Sequence, residues 1–214
     1  MEAAKGLTNI PHPETLVSLV RRFGLVAQAS RRTKELGMHD PVEFLVDCDL
    51  RNYQELTSDP RTLRDVQSAH AIAVLRRARE RGFKTGLATM ATSDQTNATL
   101  DALGLSREFD CVATLEVVKR GKPDPEVYLY VARQLEVEPT ECLVFEDTDA
   151  GVRGALAAGA YCIALPTEFT RAPFDRAAAL DRRWIVYDPL ELATVVDRMV
   201  AEVNGERSAW SAMC

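Results

Sequence analysis

From residue 85 onward the chain alternates short, unbroken apolar runs with helix-patterned stretches, and this alternation limits the fold more than any other feature. The runs are TGLAT (85–89), CVAT (111–114), LVFED (143–147), YCIAL (161–165) and WIVY (184–187). Between them lie SDQTNATLDALG, DPEVYLYVARQLEV, DAGVRGALAAG and a mixed segment in the 170s, and PLELATVVDRMVAEV closes the series. Strands that are apolar on both faces are buried on both faces, which calls for a parallel sheet with helices on each side. The expected fold is α/β, a Rossmann-like doubly wound parallel sheet, with ligand groups at the C-terminal ends of the strands.

Residues 13–82 read as almost wholly helical. PETLVSLVRRFG places Leu16, Leu19, Val20 and Phe23 on one face, and VAQASRRTKELG stops at Gly37. DPRTLRDVQSAHAIAVLRRARERG reads as one helix, with Asp59 as N-cap, Pro60 in the first turn and Gly82 after a basic last turn. The stretch GERSAWSAMC reads as a frayed tail.

Charge and composition exclude several classes. A net charge of −6 argues against a nucleic-acid binder, which would show a basic face. No apolar run approaches the roughly 18 residues that span a bilayer, and the first residues, MEAAKGLTNIPHPE, lack the apolar core of a signal peptide. The five cysteines form no close pairs, and Cys111, Cys142 and Cys162 sit in apolar runs. Buried free thiols in a reducing cytoplasm are the expectation.

Three strand ends carry polar groups suited to phosphate. Thr89 ends the first run; its hydroxyl, with the N–H groups of the turn after it, can hold a phosphate oxygen, or it can simply cap the next helix. VVKRGKPDPEVY holds Lys122 just ahead of a helix started by Asp124 and Pro125. An ammonium fixed there neutralises a phosphate or carboxylate, although loop lysines are also commonly solvent-exposed. LVFEDTDAG ends in Glu146 and Asp147, with Asp149 close by. Adjacent acids repel unless a cation or basic group joins them, and Mg²⁺ takes one or two carboxylates plus water and phosphate. The plain alternative makes Asp149 an N-cap and the acids partners of the helix dipole.

Taken in order, Thr89, GKPDPEVY and VFEDTDAGVRGALAAG closely resemble the second, third and fourth motifs of the haloacid dehalogenase-like (HAD) superfamily. The likeness is to the phosphatase and sugar-phosphomutase branch with a helical cap, and it covers residues 60–200. It implies a partial helical cap over 1–65, a HAD-like Rossmannoid core over 66–204 and a tail over 205–214. It further implies catalytic roles for Lys122 and Thr89, phosphate binding by Thr89, Met90 and Lys122, and Mg²⁺ coordination by Asp147 with Glu146. A small phosphorylated metabolite is the implied partner, with no nucleic acid and no membrane. Met90 departs from the small polar residues usual after the threonine.

The family's first motif, an apolar strand ending in Asp-x-Asp-Gly-Thr, supplies the attacking aspartate. FLVDCDL (44–50) is the one comparable stretch, but Leu50, Arg51 and Asn52 follow its second aspartate. Asp40, Pro41 and Glu43 form a helix start, and Val42, Val46, Asp49, Tyr53 and Leu56 continue at helical spacing. A late cap helix is therefore expected there. KGLTNI (5–10) is too short and polar to replace the central strand. The expectation is an N-terminally incomplete, inactive phosphatase chain, monomeric or weakly self-associating. The alternatives are a catalytically dead relative that binds phosphorylated ligands or a protein partner, and a non-enzymatic interaction module.

Overall fold

The computed structural model describes residues 26–35, 37, 63, 67–168, 170–176 and 179–211. FLVDCDL, KGLTNI and most of the expected cap helices lie outside the described residues. Contacts divide the chain into two compact units, one of residues 1–66 with 94–103 and one of residues 67–93 with 104–214.

In the first unit, α1 spans Val26–Glu35, with Arg32 and Glu35 paired at 2.7 Å across one turn. The second unit opens with α2, Ala69–Glu80, whose N-cap Ser68 accepts a hydrogen bond from the Ala71 N–H at 3.2 Å. This corrects the single helix expected from Asp59. The chain bends at Gln67, and the Ser68 hydroxyl satisfies an amide that a continuing helix would have bonded internally.

The strands follow as β1 (Gly86–Ala88) and β2 (Cys111–Ala113), then β3 (Leu143–Glu146) and β4 (Tyr161–Ala164). α3 (Ser93–Leu103) follows β1, α4 (Glu126–Gln134) follows β2, and α5 (Asp149–Ala157) joins β3 to β4. β1 pairs parallel with β2, Leu87 opposite Val112, and β3 pairs parallel with β4, Phe145 opposite Ile163. Among the described residues no strand is hydrogen-bonded between the two pairs. All four strand positions match the apolar runs. The fifth run does not become a strand: Asp181 caps a single 3₁₀ turn at Arg182–Trp184, and only one bridge, Ile185 to Ala164, joins the sheet.

Burial of both faces holds for β4, where Cys162, Ile163 and Ala164 are all buried. It does not hold for β2 and β3, where Val112 and Phe145 keep 36% and 37% of their surface. Their main helix cover comes from one element each, α4 on β2 and α5 on β3. The core gathers Val127 from α4, Val152 and Ala155 from α5, and Phe174 from α6 (Arg171–Arg176). Leu192, Val195 and Met199 complete it from α7 (Leu192–Ser211). α7 extends to Ser211, into the stretch expected as a tail; a lone Gly205 in a helix costs only about 1 kcal/mol. No helix among the described residues is long and apolar enough to cross a membrane.

Helix ends follow backbone chemistry. Gly159 takes φ +86°, and the next amide, Ala160 N–H, reaches back to Ala155 O at 3.1 Å, closing α5. After α4 the same closure is made with Glu136 at φ 54°. At the N-terminal ends of β1 and β2, Thr85, Asp110 and the Glu108 carbonyl converge on Arg79, with the Thr85 N–H donating to Asp110 at 2.7 Å. The Thr85 amide, with its hydroxyl and Arg79, holds the Asp110 carboxyl below its usual range. The opposite ends of the strands carry the candidate site.

Candidate active site

Lys122 is the centre of the site. Its ammonium donates to the Ala88 carbonyl at the end of β1, at 3.1 Å, and pairs with Glu146 Oε1 at the end of β3. It therefore ties the end of one strand pair to the end of the other. The side chains of Lys122 and Glu146 are 14% and 6% exposed, so this is a buried pair and not a solvated surface contact. An ammonium has three donors, and the structure gives Lys122 two acceptors. Among the described residues the third donor meets no acceptor.

Two residues of α4 hold this arrangement. Glu126 accepts the backbone N–H groups of Lys119 at 3.1 Å and Arg120 at 2.9 Å, fixing the loop just ahead of Lys122. Those amides, Lys119 first, hold its carboxyl below the usual range. Asp124 accepts from the Glu126 N–H at 3.1 Å and pairs with Arg120 at 3.0 Å, so the helix start read from DPE is present one residue later. The second residue is Tyr128, whose buried hydroxyl donates to Glu146 Oε1 at 2.6 Å, with the Gly151 carbonyl at 3.0 Å as its other acceptor. Burial, and next the Glu146 charge, push the Tyr128 phenol far above its ordinary value, so it is a donor at any working pH. The sequence reading missed both Glu126 and Tyr128. The local signal was there in PEVY, where they stand three and five residues past Pro123, but only the fold shows what they face.

Thr89 donates its backbone N–H to Ala113 O at 2.9 Å, and its hydroxyl oxygen accepts from the Ala91 N–H at 3.1 Å. Among the described residues the hydroxyl proton meets no acceptor. Met90 is half-buried against the core, its sulfur close over Gly121, where an added Cβ would meet it at 3.1 Å. Thr114 and Ser93 share a hydrogen bond of 3.0 Å, and Glu116 accepts from the Ser93 N–H at 2.9 Å and hydroxyl at 3.1 Å. Hydrogen bonds from Thr114 and then Ser93 hold the Glu116 carboxyl down at about 2.

Asp147 follows Glu146 at the strand end. Its carboxyl is raised by burial first and the Glu146 charge second, with Lys122 opposing. Asp149 is not the N-cap: Thr148 caps α5, accepting from the Gly151 N–H at 3.1 Å, while Asp149 pairs with Arg153 at 2.8 Å. The cluster of Glu146, Asp147 and Lys122 holds two carboxylates against one ammonium. Surplus negative charge on hard oxygen donors suits Mg²⁺. Among the described residues no three His, Cys, Asp or Glu side chains converge. The thiols of Cys111, Cys142 and Cys162 are free, only Cys162 is fully buried, and burial pushes it up to about 12.

In this α/β core the lysine thus bridges two strand ends beside an acid pair. The haloacid dehalogenase-like hydrolase family matches residues 20–159, and the chain belongs to that family. Hexitol phosphatase A of Escherichia coli is 35% identical over 133 residues, 62% of this chain and 58% of that protein. The fructose-1-phosphate phosphatase YqaB of the same organism is 47% identical over 62 residues, 29% of this chain and 33% of that protein. The crystal structure of a β-phosphoglucomutase from Clostridium difficile superposes with a TM-score of 0.63 at 20% identity, covering 97% of this chain and 83% of that one. That last likeness is one of fold. The chain spans about half the length, or less, of most of the curated relatives it matches.

Proposed function

We propose that this chain carries the phosphate- and Mg²⁺-binding apparatus of a phosphatase acting on small phosphate monoesters of the sugar-phosphate type. The observation that carries the reading is Lys122, buried between Ala88 O and Glu146 with one donor uncommitted. That donor and the Thr89 hydroxyl proton would bind phosphoryl oxygens, with the Met90 N–H completing the cradle. Asp147 would coordinate Mg²⁺, and Glu146, committed to Lys122 and Tyr128, would add its charge nearby. When bound, Mg²⁺ would offset the charge of the phosphoryl group and the approaching nucleophile. The sugar-phosphate class is taken from the names of the relatives, a hexitol phosphatase and a fructose-1-phosphate phosphatase.

In the mechanism that the family resemblance implies an aspartate attacks phosphorus, and the sequence contains no Asp-x-Asp-Gly-Thr. These 214 residues by themselves are therefore proposed to bind phosphate with Mg²⁺ and not to turn esters over, since removing a covalent nucleophile lowers rates by several powers of ten. Calorimetric titration with Mg²⁺ and inorganic phosphate, alongside phosphate-release assays on fructose 1-phosphate and a hexitol phosphate, tests both halves. Absence of phosphate binding would remove the reading. Turnover abolished by Asp147→Asn would show that the chain holds its own nucleophile, with Asp47 and Asp49 the residues to replace next.

A further inference from the structure

We propose that Tyr128 is a positioning residue for Lys122, acting through Glu146 so that one ammonium donor stays available to phosphate. The inference rests on the reading of this site as a phosphate centre. Tyr128 touches both members of the ion pair. Its hydroxyl donates to Glu146 Oε1 at 2.6 Å, the same oxygen that pairs with Lys122, and its ring centroid lies 5.3 Å from Lys122 Nζ.

A core tyrosine needs only one acceptor, and the Gly151 carbonyl at 3.0 Å offers one. The shorter bond goes instead to the carboxylate that carries Lys122, where the charge makes a hydrogen bond roughly twice as strong. The other carboxylate oxygen, Oε2, lies against Gly151, with the Thr148 hydroxyl at 3.5 Å. Glu146 is thus held from three sides, and the tyrosine hydroxyl fixes the oxygen on which Lys122 leans. Without that hydroxyl the carboxylate can turn about its last bond. Lys122 then follows it, and the third donor leaves its place.

A positioning role and a purely structural one make different predictions. If Tyr128 positions Lys122, phosphate affinity falls while Mg²⁺ affinity, carried by Asp147, holds. If it only fills the core, both hold or both fall with stability. The experiment is calorimetry on the whole chain, using Mg²⁺ alone and then inorganic phosphate at saturating Mg²⁺, for the native protein, Tyr128→Phe, Glu146→Gln and the double variant. Tyr128→Phe keeps the ring and removes only the hydroxyl. The expected result is about fivefold to tenfold weaker phosphate binding in Tyr128→Phe with Mg²⁺ affinity within about twofold of native. In the Glu146→Gln background the same change should have no further effect on phosphate, because the two act in one chain of contacts.

Unchanged phosphate affinity in Tyr128→Phe, parallel loss of both ligands, loss of fold, or full additivity in the double variant would each overturn the proposal. A native chain that binds phosphate while Tyr128→Phe is silent defeats this inference alone. A native chain that binds neither ligand defeats the proposed function and this inference with it.

Discussion

Gly151 lies directly beneath the carboxylate of Glu146: a Cβ built on Gly151 would collide with Oε2 and the carboxyl carbon. A glycine inside the first turn of α5 thus makes room for the acid that ends β3, and the acid in turn holds Lys122. Gly151→Ala should test that close approach. Alanine gains about 1 kcal/mol of helix propensity over glycine, whereas forcing atoms into a packed site costs about 1–3 kcal/mol. Glu146 is held by Lys122 and Tyr128 and cannot swing clear, so the steric cost wins. Urea unfolding should show a net loss of stability; a gain would mean that Glu146 moves freely.

Lys122→Ala should destabilise the fold as well as weaken phosphate binding. It strands a carboxylate that is 6% exposed, and breaking a buried pair from one side costs about 3–5 kcal/mol. Adding Glu146→Gln removes the stranded charge. The double variant should therefore be more stable than Lys122→Ala in the same unfolding titration, with phosphate affinity still lost.

Asp147 should cost stability in the metal-free protein. Its folded carboxyl is raised by burial, so the folded state binds a proton more tightly than the unfolded chain. Stability then declines as pH rises from about 3.8 through the raised folded value. Asp147→Asn should be more stable than native at pH 7 without metal. Millimolar Mg²⁺ should raise the native melting temperature and leave the variant's unchanged. Equal responses to Mg²⁺ would remove Asp147 from the metal site.

Glu116 should act in the opposite sense. Its carboxyl is lowered from 4.5 to about 2 by hydrogen bonds from Thr114 and Ser93, so its stabilising contribution is present above about 4.5 and is lost as pH falls toward 2. Glu116→Gln should flatten that part of the acid-unfolding curve and lower stability at neutral pH. Unchanged acid unfolding would show that the Ser93–Thr114–Glu116 contacts do not persist in solution.

Four of the five apolar runs became strands in the expected places, because an unbroken apolar run between helix signals has few other homes. The fifth, at 184–187, failed because Asp181 and the amides after it made a turn of their own. Ser68 was overlooked because the long helical pattern around it concealed a cap. Lys122 was legible from its place before Pro123 and the helix, and Asp147 from its place at a strand end. That Glu146 would be the lysine's partner was not legible, since 24 residues and a change of element separate them. Nor were Glu126 and Tyr128, whose roles depend on which way α4 faces after it packs on β1 and β2.

The β3–α5–β4 unit has a consequence for the order in which the molecule assembles. Its two strands pair in direct succession, Leu143 opposite Tyr161 and Glu146 opposite Ala164, so the connecting loop is short and its closure entropically cheap. Glu146, Thr148 and Gly151 take their mutual places when that one unit closes. Lys122 and Tyr128, carried by the segment after β2, are expected to dock against a carboxylate already set. Folding kinetics should therefore separate the two halves of the ion pair: substitutions in α5 should slow refolding, whereas Lys122→Ala should mainly speed unfolding.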